Sequence, residues 1–447
     1  MQPREAVLAT PELLSLVFAF LPPDIRLLCR EVCPLWRRLL RDPERWAVLD
    51  FSEAEHELDE PLLEAAAAAA AGRIHTLVVP ATADTLWDEA CSPDAKIGPV
   101  LLRVLRDNAA SLRRFRSYRY GDEHDPAWYY GELLSEQLAT ILEAAPALEL
   151  LETRASAFST ASLLPILRDE RVRLDSFMLT EDVSLDRPQL CELVTAIARQ
   201  RRTLRSVALQ SMPVHLAADA LAAVLCDLPI LEKLEIGHSQ ITSDLLAALG
   251  RLLGVGLLQD LSLSGCQAAP DLWTSRTAAL AFAAGLRANR RITDLAFCFR
   301  EMFGHRGRVG AEATVLSSMV AHPSLTNVRI FSSLLKQPAP GCVSTWLSAM
   351  VAANSPSLID LTVYLDLAEE DVLPFYSALS SNTHLNCIKA PGRNMSLDFL
   401  CEVVLSAVTA STTLKDIWVP ACLSLRSNYL TRLQFIEQVT ALVSARS

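Results

Sequence analysis

One six-residue register recurs along this chain of 447 residues: an apolar residue, two others, an apolar residue, one other, then a third apolar residue. It opens at Ile74, Leu112, Leu148, Leu174, Leu204, Leu231, Leu258, Ile292, Leu325, Leu358, Leu385 and Leu414, at spacings of 26 to 38 residues. No other feature constrains the fold as tightly, because a period in sequence is a structural unit stacked in space. The last two apolar residues of each register fall on one side of a short strand and the residues between them on the other. Between registers run Ala/Leu-rich stretches of helical propensity, such as 217–229 and 277–289. A single strand-and-helix unit cannot bury its own apolar side, whereas a stack of twelve hides a continuous leucine layer.

A general α/β domain of several strand-helix-strand units would alternate in a similar way. The repeated register and the lack of a glycine-rich turn after any strand favour a solenoid. Composition agrees with a large ordered core, since 51% of residues are apolar. The expectation is an α/β chain whose array covers 74–447, preceded by a connection and first outer helix over 51–73. In that connection, Pro61 suits the first turn of a helix through the seven alanines Ala65 to Ala71, and Gly72 suits its end.

Ahead of the array, residues 1–50 read as three short helices. Leu13, Leu14, Val17, Phe18 and Leu21 have the spacing of one apolar helical face. Pro22 and Pro23 end that helix, Asp24 offers a carboxylate to cap the next, and Pro34 suits the first turn of a third carrying Leu35, Trp36, Leu39 and Leu40. So small a unit cannot cover that much apolar surface by itself, so a partner is implied.

These helices resemble the F-box family. Glu12-Leu13-Leu14, Val17-Phe18 and Leu21-Pro22 follow its opening, and Val32-Cys33, Trp36-Arg37, Asp42-Pro43 and Trp46 follow its close. The usual Leu-Pro ahead of the glutamate is shifted here to Leu8-Ala9-Thr10-Pro11. The resemblance implies docking onto a Skp-type adaptor, and through it a cullin, by Leu8, Pro11, Leu13, Leu14, Val17, Phe18, Leu21, Pro22, Leu28, Val32 and Trp36. The array in turn resembles irregular leucine-rich repeats with long helical returns, which implies a horseshoe with its helices on the convex side. Cys266 and Cys422 occupy that family's polar ladder position, but Ser239, Arg300, Ser333 and Asp366 stand there elsewhere, so the ladder is imperfect.

In this register, alternate strand residues form the inner wall. It begins with Arg114, Arg116 and Tyr118, continues through aspartates at equivalent places (Asp260, Asp294, Asp360 and Asp416), and carries Phe331, Tyr364 and Trp418 toward its end. The two arginines and the four aromatics are the candidate contacts to a protein substrate, because aromatic and arginine side chains dominate protein interfaces. The segment 118–133, with five aromatics, is either an interaction patch or packing over an end of the array. The basic, glycine-flanked segment 304–310 could cradle a small anion, although a plain loop explains it more simply.

Catalysis finds no support. No phosphate-binding glycine loop, dinucleotide fingerprint or nucleophile elbow is present, the eight histidines are dispersed, and the eleven cysteines lack paired spacing. Cys29 and Cys33, one helical turn apart, read as small apolar residues rather than metal ligands. Neither a cofactor nor a metal is expected. A net charge of -11 argues against nucleic acid. No apolar run suits a membrane span, and no cleavable leader is recognisable, so cytoplasm, nucleus or both are expected. The resemblances together imply a non-catalytic, substrate-recruiting subunit of a ubiquitin ligase. A non-ligase interaction scaffold and a small-molecule sensor using the same wall are the alternatives.

Overall fold

The computed structural model describes residues 10–52, 58–80, 97–118, 133–157, 160–179, 185–269, 275–298, 311–331, 341–364, 369–389, 399–411 and 413–418. The chain divides into two compact units, Met1–Thr180 and Glu181–Ser447.

The first unit starts with α1 (Pro11–Phe20), α2 (Pro23–Val32) and α3 (Pro34–Leu39), then a 3-10 turn (Pro43–Trp46) leading into β1 (Val48–Asp50). Next come α4 (Glu60–Ala70), β2 (Thr76–Pro80), α5 (Pro99–Asp107), β3 (Arg114–Tyr118), β4 (Leu133–Leu134), α6 (Ser135–Ala144), β5 (Leu150–Ala157), α7 (Thr160–Arg168) and β6 (Val172–Leu179). Its strands are parallel in the order β1-β2-β3-β5-β6, with β4 beside β5. The alanine-rich helix forms where expected. Asp59 caps its start by accepting from Leu62 N at 2.9 Å, and Ala71 ends it in the left-handed region (φ 50°) just before Gly72 (φ 77°).

The second unit comprises α8 (Arg187–Arg199), β7 (Ser206–Gln210), α9 (Ala218–Cys226), β8 (Lys233–Gly237), β9 (Gln240–Ile241), α10 (Ser243–Val255), β10 (Asp260–Leu263), β11 (Gln267–Ala268), α11 (Arg276–Ala288) and β12 (Asp294–Cys298). It continues through α12 (Ala311–Ser317), β13 (Asn327–Phe331), α13 (Gly341–Ala352), β14 (Asp360–Tyr364), α14 (Glu369–Leu379), β15 (Cys387–Lys389), a π-helical turn (Leu400–Val404), α15 (Leu405–Ala410) and β16 (Asp416–Trp418). The strands run parallel as β7-β8-β10-β12-β13-β14-β15-β16, and β9 pairs separately with β11.

Eleven of the twelve registers open two residues before a strand begins, as the pattern requires. Their central apolar positions then meet rung by rung: Val207, Leu234, Leu261, Leu295, Val328, Leu361 and Ile388 are successive partners, each at most 1% exposed. The fourth register departs. Its strand starts early, at Val172, and Leu174 pairs with Thr153 instead of the opening Leu148. Val172 and Leu174 are both buried, so the apolar side begins two residues upstream, and a register shift between Thr153 and Arg154 absorbs the mismatch.

A further row of buried polar side chains lies ahead of the strands, at the opposite end from the ladder position the sequence pattern marks. Asn289, His322, Ser355 and Asn382 each stand three residues before an opening apolar residue, and all are buried. Each reaches back to backbone that precedes it in the chain. Asn289 Nδ2 donates to Leu258 O (3.0 Å), His322 Nε2 to Leu286 O (2.9 Å), Ser355 Oγ to His322 O (3.3 Å), and Asn382 Nδ2 to Val351 O (2.8 Å). Asn289 Oδ1 and Asn382 Oδ1 also accept the amides of Ile292 and Leu385, which turns the chain from helix into strand with its polar groups satisfied. The expected ladder thiol, Cys266, is buried and donates to Ile236 O at 2.9 Å. Close helix packing backs this row: a Cβ at Gly285 would sit 1.8 Å from Gly250 O, so α10 and α11 can approach only with glycine there.

Two expectations for the N-terminal helices change. The α2 helix begins at Pro23, and the Asp24 carboxylate does not cap it; both oxygens are buried without a hydrogen-bond partner among the described residues. The α1 helix has two apolar sides rather than one, as described below. No described helix is long and apolar enough to cross a membrane.

Candidate functional site

The α1 helix is apolar on opposite sides, and only one of them is buried. Leu14 and Phe18 are each 1% exposed and form the interior of the small bundle, where the Phe18 ring meets Trp36 edge-on (centroids 5.3 Å apart, planes at 76°). The opposite stripe, Leu13, Leu16, Val17 and Phe20, has the i, i+3, i+4, i+7 spacing of one helical face and stands in solvent, with Phe20 84% exposed. On α2, Leu28 and Val32 are likewise exposed and one turn apart. Seven of the twelve large exposed apolar side chains among the described residues lie between Leu13 and Val48. Covering a side chain of this kind contributes at most about 1.5–3 kcal/mol, and less for those already partly buried, so the clustered exposure marks this stretch as a candidate contact surface.

Arg26 ties the second helix to the segment that follows the bundle. The buried Arg26 guanidinium donates from Nη1 to Arg45 O (2.5 Å) and from Nη2 to Val48 O (2.9 Å), and it lies 5.2 Å from the centre of the Trp46 ring. Burial pushes its pKa down to about 10, while Asp50 pulls the other way. Trp46 Nε1 donates to Leu40 O at 2.8 Å, and Arg37 Nε to Arg30 O at 3.0 Å. Through Arg26 the second helix grips β1, which pairs with β2, so within the first unit the helices are fastened to the strand row.

Of the residues expected at the adaptor contact, Leu13, Val17, Leu28 and Val32 are exposed, Pro11, Leu21, Pro22 and Trp36 are half-buried, and Leu14 and Phe18 lie inside. Leu8 lies outside the described residues. Leu16 and Phe20, which the sequence reading does not name, are exposed on the same side as Leu13, and their spacing from it is the sequence signal that links them.

On the strand rows, Arg114 and Arg116 are exposed on β3, and Arg116 shares a rung with Glu152, itself beside Arg173. Tyr118 stands on the same strand, while Phe331 and Tyr364 are rung partners on β13 and β14, and Trp418 is the partner of Lys389. The side chains of these four aromatics lie outside the described residues, as do the segments 119–132 and 304–310. The strand face of the second unit brings together Lys233, Asp260 and Asp294 on one rung, with Glu235 and Arg329 close by. Gln210 Nε2 donates to Glu235 at 2.9 Å, and Asn327 Nδ2 to Asp294 at 2.6 Å. Burial pushes the Glu235 carboxyl up, against the pull of Gln210 and His238. No group of three or more His, Cys, Asp or Glu among the described residues is placed to hold a metal.

Residues 10–48 match the family described as F-box domain, and the chain carries an F-box domain there. Such domains generally seat a substrate adaptor in a ubiquitin ligase by docking onto a Skp-type protein. No curated protein matches the chain. Among solved structures, the yeast Rad7 and Elc1 complex aligns at 12% identity over 97% of this chain and 86% of that one, with a TM-score of 0.37. A Bacteroides fragilis protein aligns at 12% identity over 70% and 75% (TM-score 0.33), and an internalin of Listeria monocytogenes at 11% over 85% and 92% (TM-score 0.34). At such scores these three likenesses carry no argument.

Proposed function

We propose that this chain, through its F-box domain at residues 10–48, is a substrate-recruiting subunit of a Skp-cullin-F-box ubiquitin ligase that is not itself catalytic. The observation that carries this reading is the solvent-facing stripe Leu13, Leu16, Val17 and Phe20 on α1, with Leu28 and Val32 exposed on α2: apolar, and left exposed among the described residues. A Skp-type adaptor covers it and brings the cullin. The body over 74–447 acts as a leucine-rich-repeat horseshoe of about twelve units, and it holds a protein substrate on its strand face by Arg114, Arg116, Tyr118, Phe331, Tyr364 and Trp418. Mechanistically, the chain raises the local concentration of an acceptor lysine near the charged ubiquitin carrier, and no covalent step falls to the chain itself.

Co-expression of the full chain with a Skp-type adaptor and a cullin tests the reading. The three proteins co-purify, while the double variant Leu16→Asp, Phe20→Asp loses the adaptor at least thirtyfold, about the weight of an interface hot spot. Because both side chains are exposed, the thermal midpoint of the variant stays at the wild-type value. Undiminished adaptor capture by that variant, or no capture by wild type, sinks the proposal. Arg116→Glu keeps the adaptor and loses substrate.

A further inference from the structure

The strand face of the second unit holds two carboxylates where a sheet ordinarily avoids them. Asp260 on β10 and Asp294 on β12 are rung partners, and in a parallel sheet such partners stand only about 4.8 Å apart. Like charges at that separation are destabilising on any sheet, and more so on a half-buried one, where little water intervenes. The two are not equivalent. Asp294 accepts a hydrogen bond from Asn327 Nδ2 at 2.6 Å, whereas no donor among the described residues is bonded to the Asp260 carboxylate. Asp260 faces Lys233 as its other rung partner, with Glu235 on β8 and Arg329 on β13 as the remaining charged neighbours.

We propose that the Asp260–Asp294 pair is a proton-sensitive switch, in which Asp260 takes up a proton when the medium becomes mildly acidic and the strand face loses one negative charge. Its asymmetry decides which member responds: Asp294 accepts the Asn327 amide, whereas the Asp260 carboxylate has no such donor among the described residues. Burial, then Asp294, push the Asp260 carboxyl up to about 6, against the pull of Lys233 and Arg329. From the ordinary value of 3.8 that is a weakening of its acidity by roughly a hundredfold. A folded pKa raised above the unfolded one means that the folded state binds the proton more tightly. The ionised pair therefore costs stability above pH 6, and that cost fades as the pH falls from about 6 toward 4. What the face attracts changes with it, since an acidic segment repelled at pH 7.5 is repelled less at pH 5.5. The switch stands independently of the ligase reading.

Urea unfolding of the full chain at intervals from pH 5 to pH 8 tests it. Asp260→Asn is expected to unfold at higher urea than wild type at pH 8, with the gap closing toward pH 5. A gap that is constant across the range overturns the proposal. Two further variants keep the test sharp should Asp260→Asn fold poorly. Asp294→Asn moves the wild-type pH dependence downward and Lys233→Gln moves it upward, each on the order of one pH unit. If neither displaces it, the pair is not the cause and the proposal fails.

Discussion

The N-terminal helices and the strand-helix repeats use the same residue, leucine, in opposite ways. In the second unit, Leu234, Leu261, Leu295 and Leu361 at the centres of their registers disappear into a row where none is more than 1% exposed. Along α1, Leu14 goes inside while Leu13 and Leu16, its near neighbours, stand 42% and 60% exposed. The repeats satisfy themselves because every unit brings the next one its missing wall. Among the described residues, the three short helices leave Leu13, Leu16, Val17 and Phe20 exposed. An apolar side chain is a fold determinant in one region and a docking determinant in the other, and only its surroundings distinguish the two.

That contrast breaks if equal truncations cost the same in both regions. Leu261→Ala removes a side chain locked between Leu234 and Leu295 and is expected to lower stability by about 2–5 kcal/mol, read from the urea midpoint, with adaptor capture unchanged. Asn289→Ala leaves the Ile292 amide and the Leu258 carbonyl unpaired and is expected to cost about 1–3 kcal/mol by the same measurement. Leu16→Ala sits at the bottom of the scale, within about 0.5 kcal/mol of wild type in stability, while weakening adaptor capture. A large stability loss from Leu16→Ala would mean that the stripe is packed within the chain itself, and the contrast would fall.

Much of this was legible in order. The period, the strand starts of eleven registers and the helical returns over 217–229 and 277–289 follow from apolar spacing and helix propensity, and the F-box was legible through its resemblance to a family from Glu12 to Trp46. Asp24 illustrates what was not legible: an acidic residue after two prolines has the signature of a cap, yet packing turns its carboxylate away from the free amides. The fourth register shows a second limit, because its strand already starts at Val172, which a six-residue pattern opening at Leu174 does not include. The apolar register marks the ladder position after the strands, which Cys266 fills, but not the second polar row before them, where Asn289 and Asn382 recur three residues ahead of Ile292 and Leu385. That signal was present but was outweighed by the stronger apolar one.

The sequence by itself determined which residues seek one another. Apolar spacing is a local property, and it dictates helix faces, strand sides and the length of a repeat without reference to anything distant. Tertiary structure alone decided which of two apolar stripes on α1 would be hidden, which carboxylates would share a rung, and which buried amide would hold which carbonyl. Those outcomes depend on separations across tens of residues, and both burial and charge coupling act through space, not along the chain.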